Sequence, residues 1–65
     1  MGHNGYVKLS KILKNNGCTV IRQGKGSHEW WYSPISENTF TVSKNIYKRD
    51  MMNVILKQAG LKKEF

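Results

Sequence analysis

The sequence predicts a small α+β fold: a two-layer sandwich of order α-β-β-β-α, with a three-stranded antiparallel sheet and two helices on one face. Three observations predict it. Apolar residues recur at spacings of three and four near both ends, whereas the middle holds short β-branched and aromatic runs separated by turn residues. Each periodic stretch stops at a glycine. At 65 residues, the chain has material for a single domain spanning 1–65, near the lower limit for folding without staples.

From Tyr6 to about Asn15, Tyr6, Leu9, Ile12 and Leu13 mark one face of an amphipathic helix. Asn4 is its expected N-cap. Gly17 follows as the C′ residue with positive φ, which puts Cys18 at C″, within reach of Leu13. Cys18-Thr19-Val20-Ile21-Arg22 reads as the first strand. After a glycine-rich turn, His28 to Ser33 reads as the second. Its alternation sets His28, Trp30 and Tyr32 on one face and Glu29, Trp31 and Ser33 on the other, with Trp31 as the core residue. Pro34 to Asn38 is turn-like. Thr39 to Ser43 then alternates as a third strand with Phe40 and Val42 facing in. Met52, Ile55, Leu56 and Ala59 stripe the last helix, Gly60 stops it, and Leu61 packs back on Leu56. The Met51-Met52 pair reads as core packing, with Met51 at the helix edge.

Charge narrows the partners. Eleven Lys and Arg against four Asp and Glu give a net charge of +7. Such a field in so small a domain points to an anionic partner, because cations that neutralise phosphates release condensed counterions and gain affinity. An acidic protein surface is compatible with the same field. Only 38% of the residues are hydrophobic, which leaves no material for a multi-domain enzyme or a deep cofactor pocket. No cofactor is expected. The single cysteine, Cys18, excludes an internal disulfide and reads as a small buried thiol in a reduced compartment. No second cysteine lies at ligand spacing, so no metal site is expected. No apolar run approaches the ~20 residues of a membrane helix, and no secretion signal is visible; the chain reads as cytoplasmic.

The chemistry concentrates in Gly24-Lys25-Gly26-Ser27-His28. Two glycines flanking a lysine allow a sharp turn or a close approach of backbone to ligand. A histidine just beyond it starts a strand, so the scaffold aims its ring. Histidine is also the side chain suited to proton exchange near neutrality. A turn, a cation and a proton carrier together describe a site facing an anion.

The order of elements, Gly26-Ser27-His28 on the second strand and the ending Val54-Ile55-Leu56-Lys57-Gln58-Ala59-Gly60-Leu61 resemble the HicA toxin family. The resemblance runs from about Val7 to Leu61. It implies a fold similar to the double-stranded RNA-binding domain. It also implies an mRNA interferase restrained by a HicB antitoxin, with His28 in the position of the family's catalytic histidine. Two departures stand out. Glu29 follows His28 where many members carry a second histidine or a basic residue, which puts a negative charge near the site. Ser43-Lys44-Asn45-Ile46-Tyr47-Lys48-Arg49-Asp50 replaces a longer proline-containing segment.

Cleavage of RNA without metal needs a base for the 2′-hydroxyl, positive charge for the phosphorane and a proton for the leaving oxygen. His28 serves as base or acid. Lys25, Arg22 or Lys44 supply charge, and the backbone of Gly24 to Gly26 offers an anion-binding nest. Gly26 and Ser27 complete the expected RNA contacts. No second proton carrier is evident beside Tyr32 and Lys44. Two other readings fit the same residues: a non-catalytic module gripping double-stranded RNA by shape, and a module that only binds a protein partner.

Overall fold

The computed structural model of the protein describes residues 5–65. Helix α1 spans Tyr6–Asn15, strands β1, β2 and β3 span Thr19–Gln23, His28–Ser33 and Asn38–Ser43, and helix α2 spans Arg49–Gln58. The order is the expected α-β-β-β-α. Strands run antiparallel in the order β1-β2-β3, so β2 is central and β3 is an edge. Asn4, expected to cap α1, lies outside the described residues; the residue at the cap position is Gly5.

Both helices end by the same device. Gly17 has φ of 87° and Gly60 has φ of 81°. In each case the N–H after the glycine reaches back to the carbonyl at C3, Cys18 to Leu13 at 2.9 Å and Leu61 to Leu56 at 2.8 Å. That is the Schellman arrangement, and it satisfies carbonyls that a helix end otherwise leaves open. The terminal carbonyls of α2 gain further partners from the β2–β3 turn. Ser33 Oγ donates to the Ala59 carbonyl at 2.7 Å, and Ser36 Oγ donates to the Gln58 carbonyl at 2.8 Å. The turn therefore clamps the end of the helix to the sheet.

The core lies between the helices and one face of β2 and β3. Leu9 and Leu13 from α1, Met52, Ile55, Leu56 and Ala59 at α2, and Trp31, Phe40 and Val42 from the sheet form one buried cluster. Cys18 is buried at its edge as a free thiol. Trp31 is fully enclosed, which matches its expected place. Met52 is inside but Met51 is 54% exposed, so the methionine pair is split between core and surface. The reason is angular: Met51 lies about 100° around the helix from Met52, off the stripe that faces the sheet.

Strand β1 departs from expectation in two ways. It begins at Thr19 and ends at Gln23, one residue later than Cys18 to Arg22. All five of its residues are exposed, because helical cover falls on β2 and β3. The strand also carries a bulge. Thr19 and Val20 oppose Tyr32 and Trp31, but the register then skips Ile21, so that Arg22 opposes Trp30 and Gln23 opposes Glu29. One extra residue thereby exchanges the faces of everything after it.

Truncating Trp31 to alanine should cost about 3–5 kcal/mol, comparable to what a core of this size supplies in total. Trp31→Ala is expected to read as unfolded by circular dichroism at 25 °C. Met51→Ala, on the surface of the same domain, should shift stability by less than about 0.5 kcal/mol in urea titration.

Candidate functional site

Hairpin geometry places His28. The Gly24 N–H donates to the His28 carbonyl at 2.9 Å and the His28 N–H returns to the Lys25 carbonyl at 3.2 Å. Between them Gly26 adopts φ of 61°, a left-handed conformation that L side chains resist. The turn closes over four residues and hands His28 to the start of β2. Its side chain is exposed. Nδ1 lies 3.3 Å from the Lys25 carbonyl oxygen. A carbonyl only accepts, so the contact calls for the proton on Nδ1 and leaves the free lone pair on Nε2.

The expected anion nest is smaller than the sequence implied. Gly24 cannot contribute its N–H, because that group already bonds the His28 carbonyl. The Lys25 and Gly26 amides lie on the exposed part of the turn. Ser27, half-buried, uses its carbonyl to accept from the Lys44 N–H at 2.8 Å. This bond brings Lys44, beyond the end of β3, beside the histidine turn.

Arg22 joins His28 on the outer face because of the bulge. Its guanidinium carbon stands 5.4 Å from the centre of a Trp30 ring, a cation–π distance. In a regular ladder, with Ile21 opposite Trp30, Arg22 would oppose Glu29 on the inner face. Trp30 and Tyr32, both half-buried, alternate with the core residues on the same outer side as His28. Histidine, guanidinium and two aromatic rings thus share one surface.

Glu29 corrects the expectation that it brings negative charge to this surface. Its side chain points inward and is 5% exposed. Tyr6 Oη donates to it from α1, Trp31 Nε1 from its own strand and Gln23 Nε2 from β1, with Lys44 Nζ 3.9 Å from Oε2. Burial by itself pushes the carboxyl pKa up, but the three donors and the lysine outweigh it and hold the group below its ordinary value. The reciprocal effect falls on Tyr6. Burial, the bond to Glu29 and the carboxylate's charge push its hydroxyl up to about 12. A carboxylate on a covered face is tolerable only with such a set of partners. No buried side-chain polar atom lacks one among the described residues.

Beyond these, no group of three or more metal-ligating side chains occurs among the described residues, and no helix among them is long and apolar enough to cross a membrane. What the fold and this surface define is a small basic α-β-β-β-α protein presenting a histidine beside cations and aromatic rings. Residues 7–61 match the family described as HicA toxin of bacterial toxin–antitoxin, and the chain belongs to that family. No protein of curated function and no solved structure gives a significant match.

Two pH windows follow from the Glu29 cluster. Because the folded carboxyl titrates below its ordinary value of 4.5, its stabilisation is complete above that pH and is lost as pH falls through the folded value. Because Tyr6 titrates above its ordinary 10, its contribution is present below pH 10 and is lost as pH rises towards 12. Tyr6→Phe should cost about 1–3 kcal/mol at pH 7. It should also remove most of the alkaline loss, as read from urea midpoints against pH.

Proposed function

We propose that this protein is an endoribonuclease toxin that cuts mRNA in the cytoplasm and is neutralised by a HicB-like antitoxin. Family membership supplies the toxin role. The observation that carries the nuclease reading is the histidine: exposed, at the start of a strand, with Nδ1 on a carbonyl, which leaves Nε2 as the ring nitrogen for a substrate.

In this reading the reaction is an internal transfer that needs no metal. The ribose 2′-hydroxyl attacks the adjacent phosphorus as Nε2 of His28 takes its proton. The bond to the 5′-oxygen breaks, that oxygen takes a proton from water, and the products are a 2′,3′-cyclic phosphate and a free 5′-hydroxyl, with the hydroxide left behind taking the proton from His28. Lys25, beside His28 on the turn, and Arg22, on the same face, offset the charge that builds on the phosphorane. Gly26 and Ser27 let the backbone come close to a phosphate. Lys44 reaches the other side of the turn, its charge shared with Glu29. Trp30 and Tyr32 give bases a place to stack, which favours a single strand over a duplex read by shape. One unit spanning 1–65 carries all of this, and the acidic antitoxin covers the basic face.

His28→Ala should lower RNA cleavage by about 10²–10⁴-fold without changing the circular dichroism spectrum, and should abolish growth arrest on induced expression. Cleavage should persist in excess chelator. Wild-type rates in the His28→Ala protein would sink the nuclease reading and leave a binding module. Arg22→Ala should weaken binding to a single-stranded oligonucleotide and reduce the slope of log K against log salt by about one.

A further inference from the structure

A second surface lies around the corner from the histidine face, along the free edge of β3. The Lys44 N–H bonds the Ser27 carbonyl, so that pair exchanges ladder bonds with β2. Antiparallel pairing alternates, which makes Glu29–Val42 and Trp31–Phe40 the next bonded pairs. The backbone N–H and C=O of Ser43, Thr41 and Thr39 therefore point away from the sheet. An edge strand is an open template, and no further strand covers this one among the described residues.

A groove of about 500 Å³ runs beside that edge, between β3 and α2. Thr41 and Ser43 line its sheet side, and Tyr47, Met51 and Val54 line its helix side. Those three side chains are 58%, 54% and 50% exposed, and they gather in one groove, whereas Val7 and Ile35 are exposed on other elements. Exposed singly, such residues need no explanation. Here they line one groove, beside a row of backbone groups that no strand pairs among the described residues. Lys48 lines the groove and no carboxylate does.

We infer that this groove is a docking site for an extended, acidic and apolar peptide segment of a partner protein, which adds a fourth strand to the sheet at β3. The backbone row supplies main-chain bonds. The apolar wall takes alternate side chains of the incoming strand, and the lysine selects for negative charge. RNA fits this surface less well, since it offers neither matched main-chain donors nor apolar side chains. A second copy of this chain fits poorly too, because each copy carries +7 and edge-to-edge pairing would bring two basic chains together. His28 also lines the groove, so an added strand reaches the histidine's side of the turn. The inference holds whether or not His28 cuts RNA.

The test uses short dye-labelled peptides and the intact protein. One peptide alternates valine with glutamate, a second alternates valine with lysine, and a third is the first with a central proline. The acidic peptide should bind at least tenfold more tightly than either of the others. On the parent protein, amide shifts in a ¹⁵N titration should cluster at Thr39, Thr41, Ser43, Tyr47, Met51 and Val54. Thr41→Pro, which removes an edge donor but no ladder bond, and Val54→Glu, which repels the acidic strand, should each weaken binding at least tenfold. Equal binding of acidic and basic peptides, or parent-like binding by both variants, would overturn the inference. So would shifts centred on Arg22 and Trp30, a map that needs no variant to fold. A concentration-dependent dimer lost in Thr41→Pro would assign the edge to a second copy and overturn it as well.

Discussion

A three-stranded sheet in a chain this short can be covered on one face only, and the rest of the molecule follows from that constraint. Two ten-residue helices supply the cover, and they are spent on β2 and β3. Alternation along β2 then divides its residues without further instruction. Trp31 and Ser33 go into the core and against the end of α2, whereas His28, Trp30 and Tyr32 are left on the outer side. The surface that meets a ligand is the remainder of the surface that folds the chain.

Glu29 is where that division carries a cost. Alternation sends a carboxylate to the covered face, directly after the histidine. The fold answers with donors from three elements, Tyr6 of α1, Gln23 of β1 and Trp31 of β2, and with the Lys44 ammonium. All of them solvate the carboxylate, and those from Tyr6 and Gln23 also tie α1 and β1 to the central strand by directional contacts. The same arrangement keeps the outer face free of negative charge, so the cations there act on an approaching anion without an opposing carboxylate from β2.

Most of the fold was legible because it rests on local rules. Periodicity located both helices, and Gly17 and Gly60 marked their ends because only a left-handed residue completes the Schellman bonds. Phe40, Val42 and Trp31 lay inward as period-two alternation requires. What escaped were features that depend on register. Nothing in Cys18-Thr19-Val20-Ile21-Arg22 announces a bulge, since a skipped residue is defined by its partner strand. For that reason Arg22 was expected among the cations but not against Trp30. The Glu29 donors were hidden for the same reason, being 23 and 6 residues away for Tyr6 and Gln23. The groove beside β3 left a fainter signal: Met51 and Val54 are three apart and off the Met52–Ala59 stripe, which marks a second apolar line on α2. Of the expected site, the turn and His28 were legible, and the loss of the Gly24 amide to a hairpin bond was not.

The bulge at Ile21 ties the two faces of the sheet together by counting. Arg22 reaches the outer side and Gln23 reaches Glu29 only because one residue between Val20 and Arg22 is left over. Deleting that residue would give a regular ladder with Arg22 still opposite Trp30 and Gln23 still opposite Glu29. Keeping it in a ladder without the skip would instead send the arginine inward and the glutamine outward together. The bulge is therefore what lets a strand one residue too long serve both faces. Descendants of this sequence can lose Ile21 without exchanging the two faces, whereas a gain or loss that the bulge does not absorb alters the core and the ligand face in the same step.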